Sequence, residues 1–159
     1  MTDYYSAKLQ AGLEYQDFIS DELRMRGIYL GAYSSQKYQY EKGESASGIE
    51  IKYDMRVAET GNLYIEVAEK SNENVIGWTS SGIFRKDNTK FYLIGDRLQA
   101  FLFSKHQLQD VYHDTKNYDR RGIKLKETKT SKGFIYPVHS ALKGMCLVHF
   151  VFDNNNERR

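Results

Sequence analysis

Apolar residues recur at helical spacing near the amino terminus and then switch to alternation. From Tyr4 to Arg26, Tyr5, Leu9, Leu13, Ile19 and Leu23 fall on one arc, with Gln10, Asp17, Asp21 and Arg24 opposite. That spacing predicts an amphipathic helix. Thr2 or Asp3 can cap its start, and Gly27 can end it. Period-two segments follow at Ile28–Tyr33, Lys37–Glu41, Gly48–Asp54 and Leu63–Lys70, separated by Gly, Ser and Asn turn signals. Thr60-Gly61-Asn62 reads as a tight connection that would pair the last two strands as a hairpin. Thr79–Arg85 reads as a turn or short helix. Beyond it come strands at Lys90–Ile94 and Gln99–Phe103, then a short helix near Lys105–Tyr112. A basic stretch leads to strands at Gly133–Pro137 and Met145–Phe152. The order of these elements predicts a single mixed α/β or α+β domain over residues 1–152. Residues 153–159 read as a disordered polar tail.

Alternation also assigns the faces of the two central strands. It puts Glu50, Lys52 and Asp54 on one side of the first, and Ile49, Ile51 and Tyr53 on the other. In the second, Tyr64, Glu66, Ala68 and Lys70 lie opposite Leu63, Ile65 and Val67. If the two strands pair, Asp54 and Glu66 converge with one or two lysines beside them. Two carboxylates on adjacent strands make a hard oxygen site suited to Mg²⁺, and a lysine there can orient water or steady a phosphate. The bland alternative is an antiparallel hairpin with a solvent face of Glu–Lys pairs.

Composition narrows the setting. The 159 residues carry 40% hydrophobic and 28% charged side chains, which suits a globular chain and argues against disorder. The single cysteine, Cys146, excludes an internal disulfide and every multi-cysteine zinc arrangement. It sits in an apolar run and reads as a buried core thiol. No stretch approaches the ~18 apolar residues of a membrane span, so no membrane contact and a cytoplasmic setting are the expectation. Tyrosine is abundant at 13 residues. Tyr33, Tyr38 and Tyr40 could stack bases, but tyrosines in strands are more often packing or cross-strand partners. The four histidines show no metal-ligand spacing, and no phosphate-loop, GxGxxG or GxSxG motif occurs.

The net charge of +2 divides unevenly. Residues 1–70 hold eight Lys and Arg against twelve Asp and Glu, a net of −4. Residues 71–159 hold fifteen against nine, a net of +6. Much of the excess is Lys116, Arg120, Arg121, Lys124, Lys126, Lys129 and Lys132, the candidate contacts to nucleic-acid phosphates. A solvated charged loop is the plain alternative.

The run GIEIKYDMRVAETGNLYIEVAEK, then Trp78-Thr79-Ser80-Ser81-Gly82-Ile83 and the strand Lys90–Ile94, resembles a PD-(D/E)xK nuclease of the phage-type branch of the restriction-endonuclease-like superfamily. The likeness spans residues 5–110 and extends to Ser131–Pro137. It implies a restriction-endonuclease-like α/β core, a central mixed sheet flanked by helices, and Mg²⁺- or Mn²⁺-dependent hydrolysis of DNA. Carried over by position, Asp54 and Glu66 are metal ligands and the Val67 carbonyl is a third. The usual lysine position, two residues after the glutamate, holds Ala68. Lys52 or Lys70 would supply the amine, with Lys52 the first choice because it lies one side-chain repeat from Asp54. A second register reads Glu50-Ile51-Lys52 with Glu44 upstream. The resemblance also points to a helix-1 acid, where the chain offers Gln16 with Glu14 nearby, and to Ser81. A homodimer is a partner state to test, since double-strand cutters often need two sites. The alternative reading is an inactive relative that binds DNA or a protein, and Ala68 favours it.

Overall fold

A computed structural model describes residues 3–31, 47–117 and 122–152, with the side chains of residues 3–5, 116 and 117 outside that description. Helix α1 runs Asp3–Met25 and turns off at Gly27, whose φ of 77° is the left-handed value that a helix-ending glycine adopts. After it come β1 (Ile49–Tyr53), α2 (Val57–Thr60), β2 (Asn62–Glu69), β3 (Thr79–Ser80) and a 3₁₀ turn at Gly82–Phe84. Next are β4 (Phe91–Gly95), β5 (Gln99–Ser104), α3 (Lys105–Asn117) and β6 (Lys124–Glu127). The chain then forms β7 (Ser131–Pro137), α4 (Val138–Gly144) and β8 (Cys146–Val151).

The described strands form two four-stranded sheets in a mixed α/β protein. One is mixed, in the order β1-β4-β5-β8 with β1 and β4 parallel, and the other antiparallel, in the order β3-β2-β7-β6. The expected hairpin of β1 with β2 is therefore absent. Parallel strands are stable where both faces are covered, and β1 meets that condition: Glu50 and Ile51 point to opposite faces and both are buried. Thr60-Gly61-Asn62 has a different role from the one its composition suggests. Gly61, at φ 64°, is the C-cap of α2, and its N–H closes on the Val57 carbonyl.

Two apolar clusters hold the layers together. Between the sheets, Leu63, Ile65 and Val67 of β2 meet Tyr92, Ile94, Phe101 and Phe103 of the mixed sheet, Phe134 and Tyr136 of β7, and Leu108 and Val111 of α3. Phe101, Phe103 and Phe134 are fully buried, each contributing about 1.5–3 kcal/mol relative to exposure. On the other face of the mixed sheet, Tyr15, Ile19 and Leu23 of α1 cover Ile51, Leu93 and Ala100. The stripe predicted for α1 holds only in its second half, because Leu9 and Leu13 are 47% and 40% exposed.

Other boundaries differ. Ile28 to Gly31 forms no strand, and Lys37–Glu41, Tyr33, Tyr38, Tyr40 and the tail 153–159 lie outside the described residues. Strand β6 and helix α4 were not legible. In β6 the residues Lys-Leu-Lys-Glu are all exposed, so no buried face marks it, and pairing to β7 alone defines it. Lysines on such an edge strand also discourage pairing with other chains. No helix among the described residues is long and apolar enough to cross a membrane. Cys146 is half-buried against the main cluster, and burial raises its thiol pKa.

Candidate nuclease site

Asp54 lies just past β1 and still reaches β2. Its N–H donates to the Gly95 carbonyl at 2.8 Å, continuing the β1–β4 ladder. Its Oδ1 accepts the Arg56 N–H at 3.1 Å, and its Oδ2 accepts the Tyr64 N–H at 3.0 Å. The aspartate thus joins the mixed sheet to β2 through a side chain where the sequence suggested a strand pair.

Glu66, two residues along β2 from Tyr64, is held by two hydroxyls. Ser81 donates to Oε1 at 2.7 Å and Ser131 to Oε2 at 2.9 Å. The Tyr64 hydroxyl lies 2.7 Å from Ser131 Oγ, so a chain runs from the phenol through the serine to the carboxylate. Burial, with the Glu66 charge adding to it, raises the Tyr64 phenol above its ordinary pKa, while the Ser131 hydrogen bond opposes the rise. Ser81 also donates its N–H to the Val67 carbonyl at 3.2 Å, so that proposed metal ligand already has a protein partner.

A β-bulge at Val67 rearranges the faces. Glu66 pairs with Gly133, Ala68 with Lys132, and Glu69 with Ser131. Residues 131 and 133 share a face of β7, so the bulge brings Glu69 onto the face of Glu66 and sends Ala68 and Lys70 to the other. Lys70 accordingly does not accompany Glu66; its ammonium sits 4.6 Å from the Trp78 ring centroid. Glu69 is the site residue that alternation misses. Its carboxyl pKa is raised by burial and then by Glu66, with Lys52 and Arg85 pulling it down. The extra residue of a bulge leaves no mark in a Glu-Val-Ala-Glu run.

Lys52 and Glu50 belong to a neighbouring ionic chain. Glu50 is 0% exposed, forms an ion pair with Lys52 at 2.6 Å, and accepts hydrogen bonds from Arg85 at 2.9 Å and the Thr89 hydroxyl at 3.3 Å. Arg85 also bridges to Asp87 at 2.7 Å, and Asp87 to Lys105 at 2.9 Å. Burial works against the charge of Arg85, but Glu50 and Asp87 outweigh it and raise its pKa. For Asp87 burial is likewise opposed, by hydrogen bonds from Arg85, Lys105 and the Thr89 N–H, and its pKa falls to about 2. A carboxyl lowered on folding stabilises fully above its unfolded pKa and loses that contribution as pH falls through the folded one. Asp87→Asn should therefore flatten the decline in stability between roughly pH 4 and pH 2, read by urea denaturation at several pH values. An unchanged pH profile would refute this role.

The helix-1 candidates are not drawn in. Glu14 is exposed and accepts from Gln10 at 3.0 Å, and Gln16 is half-buried with no bond to Asp54 or Glu66. Helix α1 instead places Tyr15 on Tyr53, with ring centroids 4.5 Å apart, beside Asp54. Glu44, the partner in the second register, lies outside the described residues, as do Arg120, Arg121 and the Lys116 side chain.

Part of the basic segment shares a sheet face with Glu66. Glu66, Gly133 and Lys126 form one cross-strand row, and Tyr64, Ile135 and Lys124 the next. Directly opposed residues share a face, so Lys124 and Lys126 stand on the face of the sheet that carries Glu66, with Lys126 about 10 Å from it at two strand spacings. Gly133 keeps that row low: a Cβ there would meet the Tyr64 ring at 2.7 Å. Lys129 pairs with Glu73 at 2.6 Å, and Lys132 pairs with Glu127 at 3.0 Å.

A divalent cation fits this donor set in one form only. Each oxygen of Asp54 and Glu66 accepts one hydrogen bond and keeps a further lone pair. Mg²⁺ commonly uses one or two carboxylates plus water and substrate phosphates, which these residues can provide. A prebuilt cage is not present, because no three His, Cys, Asp or Glu side chains group for a metal among the described residues. Comparison with known proteins finds no match for this chain, whether to a family model, a curated protein or a solved structure.

Proposed function

We propose that the chain is a metal-dependent nuclease of the PD-(D/E)xK type, hydrolysing DNA phosphodiester bonds. The observation that carries this reading is the row Glu66–Gly133–Lys126, which sets a hydroxyl-braced carboxylate and exposed lysines on one open sheet face. The two sheets and α1 would correspond to an elaborated restriction-endonuclease-like core.

Asp54 and Glu66 would hold Mg²⁺ or Mn²⁺, which when bound supplies a Lewis acid and an activated water. Ser81 and Ser131 orient Glu66. Glu69, on the face of Glu66, would accept a proton at its carboxylate from the attacking water. Lys52 supplies positive charge from the Glu50 side, while Lys124 and Lys126 position the phosphate backbone. Plasmid and single-stranded DNA incubated with Mg²⁺ or Mn²⁺ test the assignment. Asp54→Asn and Glu66→Gln should each lower cleavage about 100-fold or more. Undiminished cleavage by either variant removes the site.

A second reading, a DNA-binding module without turnover, is favoured by Ala68 and by the bulge that turns Lys70 away. Gel shifts with no cleavage by the wild type under either metal would select it.

A further inference from the structure

Trp78 is the only tryptophan of the chain, and two lysines converge on it. The ammonium of Lys132 lies 4.4 Å from its ring centroid and that of Lys70 4.6 Å. We propose that Lys70, Trp78 and Lys132 form a clamp for the phosphate backbone of a nucleic acid, beyond the Glu66 face. The proposal rests on the nucleic-acid reading above, but not on cleavage.

The ring attracts each ammonium only weakly, so both stay available to a stronger anionic partner. A phosphate offers each of them a charge-assisted contact in its place. Among the described residues Lys70 has no carboxylate partner, and the Lys132–Glu127 pair is a surface bridge that a phosphate can displace. The framework is already set. The Lys70 N–H donates to the Thr130 carbonyl at 2.8 Å, and the turn before β7 is closed by the Thr128 N–H on the Ser131 carbonyl, also at 2.8 Å. The Ser131 N–H returns to Thr128 Oγ1 at 3.0 Å. Lys132 stands between Ser131 and Gly133 on β7 but faces the other way. The clamp thus lies at the end of the sheet where β2 and β7 close, on the opposite face from Lys124, Lys126 and Glu66. A backbone that reaches both faces passes around that end.

Trp78 fluorescence reports on this place alone. Wild type and Lys70→Met/Lys132→Met are titrated with a 12-nucleotide single strand in EDTA, over a range of salt concentrations, with Lys143→Met on α4 as the control. Methionine keeps an apolar stem on the ring, and circular dichroism confirms the fold. The expected result is a saturable change in Trp78 emission and a salt slope reduced by about two in the double variant, unchanged in the control. Silent emission while a gel shift shows binding would overturn the clamp, as would equal affinity of the double variant or no binding at all. Inorganic phosphate that saturates the response as tightly as the strand would overturn the nucleic-acid assignment. Without divalent metal, cleavage does not enter: a responding Trp78 in a chain that never cuts DNA upholds the clamp and removes the nuclease.

Discussion

Replacing Glu50 with alanine should lower the unfolding free energy by about 3–5 kcal/mol, the range for removing one partner of a buried ion pair. Glu50 has no exposed surface, takes a charge-assisted hydrogen bond from Arg85 and forms an ion pair with Lys52. Without it, the buried part of Arg85 keeps its desolvation cost and loses its largest favourable partner. Asp87 would still hold Arg85 from the other side, so the chain should fold, with a lower midpoint in urea. Glu50→Gln separates charge from packing: it preserves the shape and should lose a large part of the same energy. A loss below about 1 kcal/mol for the alanine variant would show that the network is solvated and contributes as little as a surface bridge does. The same result would reopen Glu50-Ile51-Lys52 as a chemical pair.

Gly82→Ala should both destabilise the protein, by about 2–4 kcal/mol, and reduce cleavage as Glu66→Gln does. Gly82 has φ 49°, and a Cβ there would press into the Glu66 backbone carbonyl, well inside van der Waals contact. Relief requires the 3₁₀ turn to withdraw from β2, which pulls Ser81 from both Glu66 Oε1 and the Val67 carbonyl. Gly61→Ala is the matched comparison. Its φ is 64° but nothing lies within 4 Å of the added methyl. It should show only the left-handed penalty of about 1 kcal/mol and no change in cleavage. Equal effects at the two positions would mean that the close approach on Glu66 is immaterial.

Local rules carried well where one periodicity dominated. The first helix, β1, β2, β4, β5 and β8 lie within a residue or two of their expected limits. The division of Glu50 from Ile51 also holds, and the face assigned to Leu63, Ile65 and Val67 is the one that enters the core. Failures came where a local signal had two meanings. Thr60-Gly61-Asn62 suits a hairpin turn and a helix C-cap equally, because both need a residue at positive φ. Alternation along β2 is interrupted by a bulge, which gives Glu69 the place expected for Lys70. Leu9 and Leu13 satisfy a helical stripe without a neighbour among the described residues to bury them.

By itself, the sequence determined most of the elements, much of the apolar surface that packs them, and the two acids that side-chain type marks as chemically notable. It also set the split between an acidic and a basic half. Only the tertiary structure decided that Asp54 reaches β2 through its carboxylate, that Glu69 joins Glu66, and that Lys124 and Lys126 share their face. The reason is range. Helix and strand periodicity follow from neighbours a few residues apart, whereas sheet order, bulge position and cross-strand rows depend on partners such as Gly133, more than sixty residues from Glu66 along the chain.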